Sequence, residues 1–311
     1  MSSEELTAEA EGRLEAKRQR DLDTARMWIS ADDGLLVRGV KPHSAAKSML
    51  VSRGVDTVSF AMGGKWHGVH YLELYSGPGR LLDQSTGVEQ VGSPLQALQV
   101  RRPFNRYVFS DYSQQCIEAL DVRVGARSDV DVLCGDANDA AHLKEIAARL
   151  DPRALVVAYL DTARPQDLHW STVEYLAGQF RFIDLIINLP IHNVMRAILG
   201  AGAGAGARGP GAAGRFLHHS SPHDLLTFNR ASELDTRATR ETIRAHYDAQ
   251  LMALGFKRPA RRTVWFPPGN PYYDVLLASR HQTGLDLWNK TNPAPENPQL
   301  SFLLDDAAWG A

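Results

Sequence analysis

The residues best suited to chemistry follow segment 69–74, whose apolar and aromatic positions predict a strand. This segment runs into Ser76-Gly77-Pro78-Gly79. Glycine lets the backbone turn sharply and lets a ligand approach closely, because no Cβ is in the way. A glycine turn between a strand and a helix is how nucleotide-type cofactors are held at the carboxyl end of a parallel sheet. A plain tight turn is the alternative interpretation, since short glycine turns are common.

Acidic or amide residues stand at the ends of four later predicted strands, namely Asp111, Asp136, Asp161 and Asn188. The carboxyl ends of parallel strands share one edge, so we expect these side chains to line a common ligand site. Asp111 could accept hydrogen bonds from ribose hydroxyls, and Asp136 could accept one from the amine of an adenine. Each Asp could instead cap a helix, because Asp is a favoured N-cap residue.

A parallel sheet is needed to position these residues. Strands alternate with helices from 69 to 199, and the strands look buried on both faces. This predicts an α/β, Rossmann-like fold, with a mostly parallel sheet and helices on both faces. Apolar segments 263–266 and 272–278 predict a C-terminal β-hairpin that joins the sheet or packs near it. Segment 81–92 looks irregular and polar.

The predicted division of the chain has five parts. They are a helical or partly disordered leader (1–40), the core (41–199), a flexible Gly/Ala loop (200–214), a helix and hairpin completing the same domain (215–291), and a loose tail (292–311). The Gly/Ala loop could be a mobile lid or a neutral insertion.

Composition restricts the class of protein. The net charge of the 311 residues is -2, so no global field attracts nucleic acid or an acidic membrane. Cys116 and Cys134 form no CxxC pair and read as buried free thiols, which suits a cytoplasmic protein. We expect no structural metal, because clustered soft ligands are missing. We expect no membrane span, because no apolar run approaches about 20 residues.

Several catalytic motifs are absent from the sequence. There is no GxGxxG dinucleotide fingerprint, no Walker GxxxxGK[ST] and no GxSxG elbow. Phosphoryl transfer and serine hydrolysis therefore have no local support, and the glycine spacing disfavours a nicotinamide oxidoreductase.

Five motifs in order resemble the three-Cys-motif partner proteins over roughly residues 40–291: YLELYSGPGR, GSPLQAL, CGDAND, DLIINLP and YYDVLLASRHQTGLDLWNK. That family is similar in fold to S-adenosylmethionine-dependent methyltransferases, including bacterial ribosomal RNA adenine-N6 methyltransferases. The resemblance implies S-adenosylmethionine as cofactor and a three-Cys-motif protein as partner. The cofactor-binding residues that it implies are Glu73, Tyr75, Ser76, Gly77, Gly79, Asp111, Tyr112, Asp136 and Ala137.

The same resemblance implies catalytic roles for Asp161, which would face a substrate amine, and for Lys47, which would close over the cofactor or touch substrate. A solvated surface lysine is the alternative for Lys47. The chain departs from the (Asp/Asn)-Pro-Pro-(Tyr/Phe) segment of amino-methyltransferases, because it has Asp161-Thr162-Ala163-Arg164 there. The Asp can still bind an amine, but the stacking aromatic is lost unless Trp170 or Tyr159 supplies it.

Two clusters could bind ligands outside this edge. Lys257, Arg258, Arg261 and Arg262 stand beside Trp265 and Phe266 and are the candidate nucleic-acid-binding residues. A solvated charged face is the alternative. The histidines at 218, 219 and 223 are metal-like in composition, but we interpret them as solvent-exposed.

Two functions remain open. The first is methyl transfer from S-adenosylmethionine to a nitrogen, in particular on a nucleic-acid base. The second is a methyltransferase-like binding module that has lost catalysis and acts with a protein partner.

Overall fold

The computed structural model describes residues 27–41, 43–201, 211–266 and 270–293. The strands are β1 (Met27–Ile29), β2 (Leu36–Val40), β3 (Val69–Leu74), β4 (Arg80–Asp83), β5 (Glu89–Val91), β6 (Arg106–Asp111), β7 (Val130–Cys134), β8 (Leu155–Leu160), β9 (Ile183–Leu189), β10 (Ala260–Phe266) and β11 (Asn270–Ser279). The helices are α1 (His43–Met62), α2 (Ser93–Ala97), α3 (Gln114–Val124), α4 (Ala140–Ala148), α5 (Trp170–Gln179), α6 (Ile191–Ala201), α7 (Gly211–Leu217), α8 (Thr236–Ala253) and α9 (Gln282–Thr291), with a 3₁₀ turn at Pro222–Leu225.

The main sheet has the strand order β10-β11-β9-β8-β3-β6-β7. Strands β9, β8, β3, β6 and β7 are parallel, so their carboxyl ends lie along one edge. Strand β11 pairs antiparallel with both β9 and β10, so the C-terminal hairpin joins the sheet. The order reverses at β3, whose two neighbours are β6 and β8, and this is where ligands bind in open α/β sheets. The predicted Rossmann-like α/β fold is confirmed.

Side chains of the sheet alternate between two buried cores, one on each face. On β3, Leu72 and Leu74 belong to the core that includes α4, α5 and α8, while Val69 and Tyr71 belong to the core beneath α1 and α9. Because successive side chains of a strand point to opposite faces, Glu73 lies on the α1 side. Helices therefore cover both faces, as the apolar strands predicted.

A second, four-stranded sheet has the order β1-β2-β4-β5. It contradicts two predictions, that the leader 1–40 is helical or partly disordered and that segment 81–92 is irregular. Residues 1–26 lie outside the described chain. Its strands are three to five residues long and half-exposed, so they carry no clear apolar alternation. Because β4 directly follows Gly79, this small sheet is attached to the glycine turn.

Arg123 on α3 joins the small sheet to the glycine turn. Its guanidinium donates to both carboxylate oxygens of Asp33 at 2.9 Å, to the Leu36 carbonyl at 2.7 Å and to the Pro78 carbonyl at 2.5 Å. The side chain is only 5% exposed. The Arg123 hydrogen bond is the main reason that the pKa of Asp33 lies well below its usual range. A buried cation thus connects three separate segments.

Residues 211–217 form α7, although 200–214 was predicted to be a flexible loop; residues 202–210 lie outside the described chain. Phe216 and Leu217 are buried in the core, and their packing holds the preceding small residues in a helix. In the parts of the chain that the structure describes, no helix is both long and apolar enough to span a bilayer.

We expect Arg123→Ala to lower the free energy of unfolding by about 3 kcal/mol, because it removes a buried cation and leaves its partners unsatisfied. Arg127→Ala is the matched control, because Arg127 forms a surface pair with Asp129, and its cost should stay below about 1 kcal/mol. Urea denaturation measures both, and equal losses would contradict the role given to Arg123.

Candidate active site

The glycine turn at the end of β3 has the left-handed conformation that its sequence requires. Gly77 has a φ of 61° and Gly79 a φ of 84°, and Tyr75 also has a positive φ, of 72°. A Cβ on Gly79 would lie 2.8 Å from Leu120 Cδ1. The Ser76 amide donates to the Ser110 carbonyl at 2.9 Å and thereby ties the turn to β6. The turn is thus close-packed, and any residue with a side chain in place of Gly79 would disrupt it.

Glu73 lies beneath this turn and is fully buried. It accepts hydrogen bonds from Tyr71 at 3.0 Å and from Ser93 at 2.5 Å. Burial raises the pKa of Glu73 to about 8, although these two hydrogen bonds oppose the shift. Glu73 has no exposed surface, and its expected contact with a cofactor stays a prediction. It holds Ser93, next to Gly92, whose amide donates to the Gly79 carbonyl at 2.8 Å.

Asp111 ends β6 and faces the glycine turn. Its Oδ2 accepts from the Gly77 amide at 2.8 Å and its Oδ1 from the Ser113 amide at 2.9 Å. Ser113, rather than Asp111, caps α3, so the capping interpretation of Asp111 does not apply. Arg38 of β2 places Nη2 3.5 Å from Asp111 Oδ2 and lies over Gly77.

This edge fits a hydroxyl-rich, polar cofactor. A carboxylate offers about four acceptor positions, and Asp111 retains capacity beside its partners. The Ser76 hydroxyl oxygen and Asn188 Oδ1 are buried without a hydrogen-bond partner among the described residues. Buried polar groups normally have partners, so such orphaned atoms are consistent with a ligand at this edge.

The remaining residues of the expected cofactor site lie around the same edge. Asp136 is exposed at the end of β7, and its Oδ1 accepts from both nitrogens of Asn138; Asp139 is the residue that caps α4. Ala137 is buried, and its carbonyl accepts from Thr172. Tyr112 is 41% exposed beside β6.

Tyr75 is fixed to the loop after β8, because its hydroxyl donates to the Asp167 carbonyl at 2.7 Å. Asn138 Nδ2 donates to the same carbonyl at 2.9 Å. The ends of β3, β7 and β8 are therefore connected to one another. Nothing in the sequence spacing signalled this contact.

Lys47 and Asp161, the two residues expected to be catalytic, form a close ion pair. Lys47 Nζ lies 2.6 Å from Asp161 Oδ1 and 2.8 Å from Oδ2. Their side chains are only 14% and 20% exposed, so the alternative of a solvated surface lysine is wrong. Asn188 Nδ2 donates both to Asp161 Oδ1 at 3.1 Å and to the Thr162 carbonyl at 2.8 Å.

The alternation of the strands explains why these residues meet. Tyr159 of β8 and Tyr273 of β11 belong to the core beneath α1. Asp161 stands two residues after Tyr159, and Asn188 stands two residues after Ile186 of the same core, so both side chains point to the α1 side. Lys47 stands near the start of α1, with its Nζ 5.5 Å from the centre of the Tyr273 ring. The spacing alone indicates the shared side, because Asp161 comes two residues after Tyr159 and side chains of a strand alternate between its faces.

The segment after Asp161 has no exposed aromatic ring. The Thr162 hydroxyl donates to the Arg164 carbonyl at 2.7 Å, and Arg164 forms a two-pronged ion pair with Asp167. Trp170 and Tyr159 are both buried in the core. Neither ring is accessible to a base, so neither of them supplies the missing stacking aromatic.

The four candidate nucleic-acid-binding residues do not form one free basic surface. Arg261 pairs with Asp274 at 2.9 Å and with Asp248 at 2.5 Å. Arg262 donates to the Asn292 carbonyl and to Asn289 Oδ1. Lys257 and Arg258 are exposed. Two of the four cations therefore serve the packing of α8, α9 and the hairpin.

The structure also shows where the two cysteines and the other side chains that could ligate a metal lie. Cys116 is buried, but Cys134 is exposed at the end of an outer strand, which corrects the interpretation of both thiols as buried. Among the described residues, no group of three His, Cys, Asp or Glu side chains could hold a metal ion.

No known family model matches the sequence, and no curated protein matches it. The fold is similar to solved structures of low sequence identity. A putative methyltransferase from Thermobifida fusca is 13% identical with a TM-score of 0.43, over 76% of this chain and 81% of that one. A protein of Legionella pneumophila is 12% identical with a TM-score of 0.42, over 78% and 90%. The methyltransferase CalH, solved with S-adenosylhomocysteine, is 15% identical with a TM-score of 0.40, over 74% and 58%. The assignment of the fold rests on the strand order itself.

We expect Gly79→Ala to lower the free energy of unfolding by about 2 kcal/mol, because it combines a strained φ with a close contact to Leu120. Gly178→Ala on α5 is the control: its Cβ would meet nothing, and alanine should stabilise the helix by about 0.5 kcal/mol. Denaturant titration should therefore give opposite signs; a neutral Gly79→Ala would refute the tight packing of the turn.

The buried carboxyl of Glu73 should make stability depend on pH. Its pKa of about 8 in the folded protein lies above the ordinary value of 4.5, so the folded state binds more protons between these values. The free energy of unfolding should therefore fall as pH rises from 4.5 to 8. Glu73→Gln should remove this decline, which is on the order of 3–5 kcal/mol at about 1.4 kcal/mol per pKa unit.

The measurement is the difference in unfolding free energy between wild type and Glu73→Gln across this pH range. Glu118→Gln, an exposed change on α3, is the control and should leave the pH profile unchanged. A wild-type profile parallel to that of Glu73→Gln would show that Glu73 does not titrate with a raised pKa.

Proposed function

We propose that this protein is an S-adenosylmethionine-dependent methyltransferase that acts on a nitrogen atom, with a nucleic-acid base as the substrate. One observation carries the proposal. The glycine turn, which includes the orphaned Ser76 hydroxyl, is hydrogen-bonded to Asp111 at the point where the strand order of a Rossmann-like sheet reverses. Ligands of open α/β sheets bind at this point.

In this proposal, the backbone of the turn and Ser76 bind the amino-acid part of the cofactor, and Asp111 accepts from its ribose hydroxyls. Asp136 and Ala137 border the position of the adenine. The bound cofactor supplies a methyl group already activated on a sulfonium, so alignment with the acceptor is the main task of the protein. Few acid or base residues are needed for that task.

The nitrogen acceptor is supported by the surroundings of Asp161. Asp161 Oδ1 and the Thr162 carbonyl both accept from one NH₂ group, that of Asn188. Two acceptors that converge on one NH₂ group form a site suited to an amine. Since Lys47 contacts both oxygens of Asp161, a substrate amine that binds Asp161 directly takes the place of at least one Lys47 contact.

A catalytically impaired binding module is the second candidate, and a specific observation favours it. Charged partners within the chain already engage both key carboxylates: Arg38 lies beside Asp111, and Lys47 pairs with Asp161. The segment after Asp161 also lacks the Pro-Pro-aromatic sequence. In this alternative the fold acts with a three-Cys-motif protein in the cytoplasm, a compartment suited to the free cysteines.

Calorimetric titration of S-adenosylmethionine tests the cofactor site. We expect wild type to bind with micromolar affinity. Asp111→Ala should weaken the affinity for S-adenosylmethionine at least about tenfold, because it removes the acceptor of the ribose hydroxyls. Asp121→Ala, an exposed change on α3, should bind like wild type.

A second measurement separates the two candidates. Asp161→Ala should keep cofactor binding but lose transfer of a labelled methyl group to nucleic acid, because the acceptor of the amine is gone. Cofactor binding without methyl transfer by wild type would favour the binding module. Failure of wild type to bind the cofactor would contradict the methyltransferase proposal for this chain.

A further inference from the structure

Two aromatic rings stack beside the proposed amine site. His192, near the start of α6, and Tyr272 of β11 have ring centres 5.5 Å apart and planes inclined by 20°. His192 is exposed and Tyr272 is half-buried. Because His192 is the exposed member of this nearly parallel pair, it is the ring that a further planar ring can reach.

Short contacts connect this stack to Asp161. Asn193, next to His192, donates through Nδ2 to the Ala163 carbonyl at 2.7 Å, two residues after Asp161. From the other side, Tyr272 packs edge-on against Tyr273, with their ring centres 4.6 Å apart. The Tyr273 ring in turn lies beneath Lys47 Nζ. The stack therefore borders the segment that would carry the aromatic residue in amino-methyltransferases.

Two arginines accompany the stack. Arg196 is exposed one helical turn after His192 on α6, and Arg240 comes from α8. Within the described part of the chain, no carboxylate lies within 4.0 Å of either guanidinium. Partial burial, and then the charges of Arg196 and Arg240, lower the pKa of His192. The lowered pKa favours the neutral imidazole, which stacks without adding charge.

We propose that the His192–Tyr272 stack binds an unpaired base of a single-stranded nucleic acid, while Arg196 and Arg240 bind its phosphates. Aromatic stacking combined with nearby cations is the common chemistry of single-strand binding. The proposal deepens the proposed function and rests on it, because it supplies the stacking surface that the segment after Asp161 lacks. It also moves the substrate surface away from Lys257 and Arg258.

A duplex does not fit this arrangement, because its bases are already stacked on one another. A peptide could contact the arginines, but it would not need an open aromatic face. The test therefore uses single strands of about 12 nucleotides, as RNA and as DNA, and a duplex of the same sequence. Binding is measured by fluorescence anisotropy with the full chain and without cofactor.

We expect His192→Ala to weaken single-strand binding about tenfold or more, the effect of losing one base–aromatic stack. His192→Phe keeps a ring and should retain binding, which separates stacking from a structural role. Arg196→Gln and Arg240→Gln should each reduce the salt slope of binding by about one. Arg153→Ala, an exposed change that precedes β8 at the opposite edge of the sheet, is the matched control and should bind like wild type.

Three outcomes would overturn the inference: no binding of wild type to either single strand, equal binding by wild type and His192→Ala, or tighter binding of the duplex. A stronger effect of Arg258→Ala than of His192→Ala would place the surface elsewhere and also overturn it. Comparison of the two single strands shows whether a ribose hydroxyl contributes. Because no cofactor is present, these results are independent of the cofactor titration, so failure of one proposal is distinguishable from failure of the other.

Discussion

The pairing of Asp161 with Lys47 is the interaction on which the arrangement of this edge depends. A carboxylate that is mostly removed from water is costly unless a cation and hydrogen bonds compensate it. Lys47 and the Asn188 amide supply both, and in doing so they fix α1 and β9 against the end of β8. The position of α1 over the sheet is thus set by charge as well as by apolar packing.

The small sheet has a comparable effect on the glycine turn. Arg123 holds Asp33, Leu36 and Pro78 together, and Arg38 reaches from β2 to Asp111. Arg38 stands far before the turn in the sequence, and Arg123 stands far after it. The turn therefore owes its shape to three parts of the sequence, although its own glycines were enough to reveal it.

Much of the fold could be predicted from composition. Strands such as β8 and β9 are buried on both faces, so they appear in the sequence as short runs of mostly apolar residues. The strand ends Asp111 and Asp161 followed from the same pattern. The short strands β4 and β5 could not, because three or four half-exposed residues carry no periodic signal. The Lys47–Asp161 contact joins residues 114 positions apart, and only the pleat of β8 indicates its side of the sheet. The His192–Tyr272 stack depends on the insertion of β11 beside β9, which no local pattern encodes.

The position of β11 has a consequence for how the chain folds during synthesis. Strand β10 is made before β11, yet it contacts the sheet only through β11. Until β11 is complete at residue 279, the outer edge of β9 has no strand beside it, and β10 has no strand with which to pair. An unpaired, apolar strand edge is a template for association with other chains. The C-terminal hairpin therefore covers a sheet edge that stays open to other chains until the last strand of the sheet has been synthesised.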